Sequence, residues 1–348
     1  MSEHVLDALR PILSYGEEGR MYIGEGAKVL EFEQAFQKWV GLPQKVLALN
    51  SGTSALELAC TLIGLEEGDE VIAPPISCFA SYAGILINKA RVVWADVVPE
   101  TGLIDIQDVL RKVTPRTKAI ITVSWGGQRI DHRPLRHTQI PIIFDDAHGS
   151  YYPDPFVDYI VYSTQAIKFL TSVDGGFLAV PDQQYDKGRL LRWYGLDRLS
   201  SSGFRCGEQN IALPGRKLHM NDVTATIGLS NLHHVAGLIE KHRANARFYD
   251  ESIQHANITK PSFYPTCTYW LYTLQTTERD RLKTYLADHG IESSLVHARN
   301  DRHAIFAYAS STLPGVDIFN ATQLSIPVGW WITEQERSFI VNTLHAWV

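Results

Sequence analysis

Between about residues 30 and 180, short β-rich runs alternate with helical patterns, and most of those runs are apolar at consecutive positions. This limits the fold more than any other feature of the chain. A strand that is apolar on both faces must be covered on both faces. Helices between successive strands supply that cover, so the pattern predicts a mostly parallel sheet with helices on either side, an α/β architecture. The expected strands are 45–49, 70–73, 91–95, 118–123, 140–144, 159–163 and 177–180. Residues 53–64 illustrate the helical pattern, with Leu56, Cys60 and Ile63 on one stripe.

The chain has 348 residues, more than one core of ~250–300 residues usually holds, so a second, smaller unit is expected. Residues 221–253 read as one long helix, with Leu229, Leu232, Ala236 and Ile239 on a face and Asn221 or Asp222 as the cap. The boundary is placed near residue 240. Residues 1–240 form the large domain and 241–348 a small α/β domain, with a strand at 268–275 and helices at 280–289 and 333–346.

A net charge of −6 argues against a nucleic-acid groove or an anionic membrane as the main partner. No apolar run approaches the roughly 18 residues of a spanning helix. The start, Met1-Ser2-Glu3-His4, lacks the basic and apolar parts of a secretory signal. Cys60, Cys78, Cys206 and Cys267 are widely spaced and read as reduced thiols of a cytoplasmic protein. With no Cys-x-x-Cys pair and no HExxH spacing, no metal site is expected.

Three groups fall at expected strand ends, where open α/β sheets bind ligands. Asn50-Ser51-Gly52-Thr53-Ser54 joins a strand to a helix, and its small residues would bring backbone N–H groups to a phosphate at the helix start. A plain capped turn would look the same. There is no GxxxxGK and no GxGxxG in the chain. Asp145-Asp146-Ala147-His148 puts two carboxylates and an imidazole at a strand end. A carboxylate facing a pyridine nitrogen keeps it protonated, but alternation does not choose between Asp145 and Asp146, and a turn-forming pair is the plainer alternative. Finally, Ser163 and Lys168 precede Asp174-Gly175-Gly176. Burial of Lys168 on a tight loop would favour the neutral amine that a Schiff base needs, although most lysines are simply exposed. The three together, in this order, point to pyridoxal 5′-phosphate.

These stretches resemble the fold-type-I, pyridoxal-phosphate-dependent sugar aminotransferases of the DegT/StrS type. Ser51-Gly52-Thr53-Ser54-Ala55-Leu56 is similar to that family's phosphate cup, and Gly68-Asp69-Glu70-Val71-Ile72 with Pro75-Ile76-Ser77 to its GDEVI…P-x-[ST]. Asp145-x-x-His148 resembles the DxxH/Q motif, which selects Asp145 as the ring-nitrogen partner and puts His148 near the phenolic oxygen. Ser163-x4-Lys168-x-Leu170-Thr171 with Asp174-Gly175-Gly176 resembles the Schiff-base lysine signature. The resemblance implies that Ser51, Gly52, Thr53 and Ser163 hold the phosphate, with Lys217 reaching it across a homodimer interface from the Gly215–Asp222 stretch. It implies substrate roles for His219, His297 and Arg299. Relatives stack an aromatic residue on the ring where this chain has Cys78 followed by Phe79. Arg216 and Leu218 replace aromatic residues, and Val173 stands where many relatives have glycine.

The resemblance further implies a ping-pong exchange: L-glutamate gives its nitrogen to the cofactor, and a nucleotide-linked keto-sugar, expected to be a 4-keto-6-deoxyhexose, collects it. Lys168 would be the base. A sugar dehydratase of the same fold carries histidine in place of this lysine. A non-catalytic cofactor-binding regulator would not need Lys168, Asp145 and the phosphate cup together.

Overall fold

A computed structural model describes residues 4–13, 26–197 and 209–348; Cys206 and residues 1–3 lie outside them. The strands are β1 (Lys45–Leu49), β2 (Glu70–Ala73), β3 (Arg91–Trp94), β4 (Thr117–Val123), β5 (Ile142–Asp145), β6 (Tyr159–Ser163) and β7 (Gly176–Val180). They form one sheet in the order β1-β7-β6-β5-β4-β2-β3. Strands β3, β2, β4, β5 and β6 pair in parallel, whereas β7 runs antiparallel to both β6 and β1.

The consecutive apolar positions are explained by two cores. Leu47, Val71, Ala119, Ile121, Ile143, Val161 and Leu178 pack on one face. Val46, Ile72, Ile120, Ile142, Phe144, Ile160 and Phe177 pack on the other. Successive residues of a strand point to opposite faces, so both sets must be apolar.

Helices α1 (Val5–Leu13) and α2 (Ala27–Val40) lead into the sheet. Helices α3 (Gly52–Ile63) and α4 (Ala80–Ile87) cover the first face, through Leu56, Leu58, Tyr82 and Ile85. The second face is covered by α2, through Val29, Phe32 and Phe36. Helices α5 (Ile106–Lys112) and α6 (Asp182–Leu191) fill two further connections.

The long helix expected over 221–253 is in fact two, α7 (Asp222–Leu232) and α8 (Val235–Ser252), broken at His233 and His234. A 3.6-residue stripe can run through such a break because no glycine or proline marks it. Asn221 caps α7 by accepting the Thr224 N–H at 3.0 Å. Asp222 instead caps the distant start of α2, accepting the Gly26 and Val29 N–H groups at 3.1 Å each.

Beyond α8 come β8 (Tyr272–Gln275), α9 (Arg279–Asp288), α10 (Pro314–Thr322), β9 (Gln323–Ile326) and α11 (Glu334–Ala346). Strands β8 and β9 pair antiparallel. A third apolar cluster joins Ala246 and Tyr249 of α8 to Leu274, Leu286, Leu324 and Leu344. The start of α8 belongs to the sheet instead, through Val235 and Ile239. Among the described residues no helix is long and apolar enough to cross a membrane.

His242 of α8 is buried, its Nδ1–H donating to the Tyr269 carbonyl at 2.8 Å. Burial pulls its pKa down to about 4, against that hydrogen bond. The unfolded chain therefore binds a proton near pH 6.5 that the folded chain refuses until about pH 4. Stability from this group is present at pH 7 and lost as pH falls through that window. His242→Asn is expected to shrink the stability difference between pH 7 and pH 5 by about 2 kcal/mol in urea titrations. An unchanged difference would contradict it.

Candidate active site

The site is built at the carboxyl ends of β1, β5 and β6. After β1, Ser51 caps α3, its Oγ accepting the Ser54 N–H at 3.0 Å. This leaves the first turn of α3, at Gly52 and Thr53, facing a cavity of about 250 Å³. Ser51, Gly52, Thr53, Cys78, Asp145, His148, Ser163, Lys168 and His297 all line that cavity, joined by Trp270. Residues from six chain segments thus meet in one place.

Sheet register sends the two aspartates to opposite sides. Asp145 is the last residue of β5 and follows the alternation of Ile143, so it faces α3 and α4. Its Oδ2 accepts the Ser81 hydroxyl at 2.7 Å, and Ser81 is itself 2.6 Å from the Ser77 hydroxyl. Its Oδ1 accepts the Ala147 N–H at 3.2 Å. Burial raises the pKa of Asp145, opposed by those two hydrogen bonds and by the Lys168 charge. Asp146 has structural work on the far side: its carboxylate accepts the Ser150 N–H at 2.7 Å and the Tyr151 N–H at 2.9 Å. Burial lifts its pKa to about 6.

Lys168 sits on the β6–β7 loop, closed at its base by the Thr164 N–H to Gly175 O bond and the Ser172 N–H to Thr164 O bond, both 2.9 Å. Phe169 and Leu170 anchor the loop in the core beneath. Burial lowers the Lys168 pKa to about 8, against the pull of Asp145. A neutral amine is therefore accessible near physiological pH. In the same loop Val173 has φ +75°, a left-handed conformation unfavourable to a β-branched side chain. Val173→Gly relieves about 1–2 kcal/mol of strain, offset by roughly 0.5–1 kcal/mol of chain entropy. The urea midpoint should rise, by a net gain of about 0.5–1 kcal/mol; a lower midpoint would contradict this.

His148 accepts the Gly126 N–H at Nδ1, 3.1 Å away, so its Nε2 carries the proton of the neutral ring. That Nε2 lies 3.3 Å from His297 Nε2. Burial, the Lys168 charge and His297 keep the pKa of His148 well below its usual value, and burial brings His297 down to about 4. Both rings are neutral at pH 7.

The remaining expected residues lie elsewhere. Phe79 is 43 % exposed and packs toward His303 and Phe306, so Cys78, not Phe79, borders the cavity. Lys217 is exposed beside the end of β1, where its carbonyl accepts from Asn50 Nδ2 at 3.3 Å. His219 is buried against Trp193. Arg299 is clamped by Asp301, at 2.5 Å, and by Asp317. Next to it, Asn300 Nδ2 donates to Ser77 O at 2.6 Å and pins this segment beside Cys78. Ser81 and Trp270 were not foreseen. Ser81 stands in the first turn of α4, four residues after Ser77, which precedes the helix, and the turn between them brings the two hydroxyls together.

A wider cleft of about 570 Å³ opens at the β3 edge, between Arg91, Arg116 and Tyr308. Its Arg116 is already paired with Glu70 at 2.6 Å, and the cleft holds no lysine facing a carboxylate. Among the described residues, the smaller cavity brings a lysine and a carboxylate together.

Its residues fit pyridoxal phosphate. A Cβ on Gly52 would come within 3.3 Å of Ser163 Cβ, and one on Gly176 within 2.6 Å of the Gly52 nitrogen. At Gly176 only glycine allows this closeness, at Gly52 a side chain would crowd Ser163, and the two leave a narrow cup with N–H and hydroxyl donors for a phosphate. Across the same cavity lie a lysine and a hydrogen-bonded carboxylate.

Fold and cavity together define a pyridoxal-phosphate enzyme of fold type I. Residues 13–345 match the model of the DegT/DnrJ/EryC1/StrS aminotransferase family, and the chain belongs to that family. It is similar to the sugar aminotransferase CalS13 from Micromonospora echinospora, with 33 % identity and a TM-score of 0.91 over 100 % of this chain and 98 % of that one. AtS13 from Actinomadura melliaura is 34 % identical, with TM-score 0.91, over 100 % and 96 %. The aminotransferase TlmJ from Streptoalloteichus hindustanus is 25 % identical, with TM-score 0.91, over 99 % and 96 %. The chain is a pyridoxal-phosphate-dependent sugar aminotransferase, with a sugar substrate and an amino donor.

Proposed function

We propose that this enzyme moves the amino group of L-glutamate onto the keto carbon of a nucleotide-linked 4-keto-6-deoxyhexose, giving an amino sugar for glycan or secondary-metabolite synthesis in the cytoplasm. The observation that carries the reading is the convergence of Lys168, Asp145, Gly52 and Ser163 on one cavity. Pyridoxal phosphate, when bound, supplies an aldehyde to take up nitrogen and a cationic ring to accept electrons.

Asp145, held by Ser81 and the Ala147 N–H, would keep a carboxylate for the ring nitrogen and so hold that nitrogen protonated. The first turn of α3 and the Ser163 hydroxyl bind the phosphate. Lys168 Nζ would hold the cofactor and serve as the base, taking the proton from the donor's α-carbon and returning one to the sugar carbon. An amine with a pKa of about 8 suits both tasks. Neutral His148, whose Nε2–H now meets His297 Nε2 at 3.3 Å, would lie on the side of the phenolic oxygen, and Cys78 would border the ring. His297 serves the substrate end of the cavity. Arg299 and His219, held by Asp301 and Asp317 and by Trp193 respectively, support the walls instead.

The exposure of Lys217 supports a homodimer in which it reaches the second subunit's phosphate site. A monomeric mass at full activity would contradict that. We place the domain boundary inside α8, between the parts that join the second and third apolar clusters.

The test is spectroscopic. The visible band of the holoenzyme is expected to fall on adding L-glutamate and to return on adding a nucleotide-linked 4-keto-6-deoxyhexose. A band indifferent to every amino donor would overturn the reading. One restored only by other keto-sugars would correct the substrate.

A further inference from the structure

We infer that Trp270 is a positioning residue for Lys168: its indole face receives the lysine amine when that amine is not in covalent use, and its N–H holds the loop that carries it. The inference rests on Lys168 being the cofactor's attachment point.

Lys168 Nζ lies 3.9 Å from the centre of the Trp270 ring. The indole Nε1–H donates to the carbonyl of Ile167, one residue ahead of that lysine, at 3.2 Å. The ring also packs against the His148 imidazole, centroids 4.2 Å apart. One side chain thus touches both the lysine loop and the histidine after β5, although it comes from the segment just before β8.

That segment is fixed by its backbone. The Trp270 N–H donates to Gly126 O at 3.0 Å and the Thr268 N–H to Gly127 O at 3.4 Å. Gly127 has φ +84°, and a Cβ there would fall 1.9 Å from Thr268 Oγ1, so only glycine admits the segment this closely. Tyr269, at φ +52°, turns the chain so that Trp270 faces the cavity.

An ammonium over an aromatic face is attracted by the ring quadrupole, and more so where water is excluded. The other groups around the amine are Asp145 and Asp146 at the end of β5, Cys78 ahead of α4, and His148 and His297. None of these offers an aromatic face to a cation as indole does. Without it, a protonated Lys168 would be free to swing toward the carboxylates, away from the carbon it must serve.

The test separates the ring face from mere filling of space. Trp270→Leu keeps the site dry but removes the π face; Trp270→Met is a second such variant should leucine disturb folding; Trp270→Phe restores a face without the N–H. The full-length, cofactor-free protein is acetylated with acetic anhydride across a pH series, and the Lys168 peptide is quantified by mass spectrometry. The midpoint is expected to move down by about half to one pH unit in the Leu and Met variants and by less than about 0.3 unit in the Phe variant. In holoenzyme, the half-reaction with L-glutamate should slow about tenfold with leucine and less than about threefold with phenylalanine. Midpoints and rates within twofold of the parent for the Leu and Met variants, or an equal shift in Trp270→Phe, would overturn the inference. Failure of the underlying reading looks different: a Lys168→Ala protein with full turnover.

Discussion

Lys168→Ala is expected to fold normally and to lose turnover by about 10³-fold or more, because it removes the residue proposed as both covalent anchor and base. The loop itself should survive. Its closure depends on Thr164, Ser172 and Gly175 backbone and hydroxyl bonds, and its core contacts on Phe169 and Leu170. Removing a half-buried amine held partly against its preference for water costs little stability. The visible band in the fold-competent mutant should shift to that of cofactor bound without a covalent link, or disappear. Steady-state rates and a thermal melt on the same preparation check both halves. Near-normal turnover would remove Lys168 from the chemistry.

The second large effect separates two neighbouring carboxylates. Asp145→Asn is expected to reduce kcat by about 10²–10³-fold with little loss of stability. The Ala147 N–H keeps the amide oxygen, and the Ser81 hydroxyl can donate to Ser77 instead and accept from the new NH2, but the negative charge proposed to face the ring nitrogen is gone. Asp146→Asn should do the reverse. One acceptor of its pair becomes a donor facing the Ser150 or Tyr151 N–H, costing about 1–3 kcal/mol, while kcat in the surviving folded enzyme stays within a few-fold. Steady-state kinetics together with urea titration distinguish the patterns. A greater kcat loss for Asp146→Asn would reverse the assignment.

Much of this was legible in the chain. The strand ranges 45–49, 70–73 and 159–163 coincide with β1, β2 and β6, because apolar runs bounded by polar turns leave little choice of ends. Strand β5 ends one residue later than expected, at Asp145, and that residue carries the point. Once Asp145 belongs to the pleat it shares the face of Ile143, and Asp146 must turn away. Alternation alone could not reveal this without knowing which face α3 and α4 cover. The reversed direction of β7 was likewise hidden, since strand composition does not encode direction. The break at His233 and His234 escaped because the apolar stripe continues across it. Trp270 read only as part of a strand; what brings it to Lys168 is the docking of a segment about a hundred residues away in sequence onto Gly126 and Gly127. Long-range approaches of that kind leave no local signal.

The most direct measurement is to reduce the holoenzyme with borohydride, digest it, and locate the pyridoxyl group by mass spectrometry. A single labelled peptide, modified at Lys168, with labelling suppressed when L-glutamate is added first, is the predicted outcome. A label on any other lysine would contradict the account, as would an unlabelled Lys168 in a yellow, active protein.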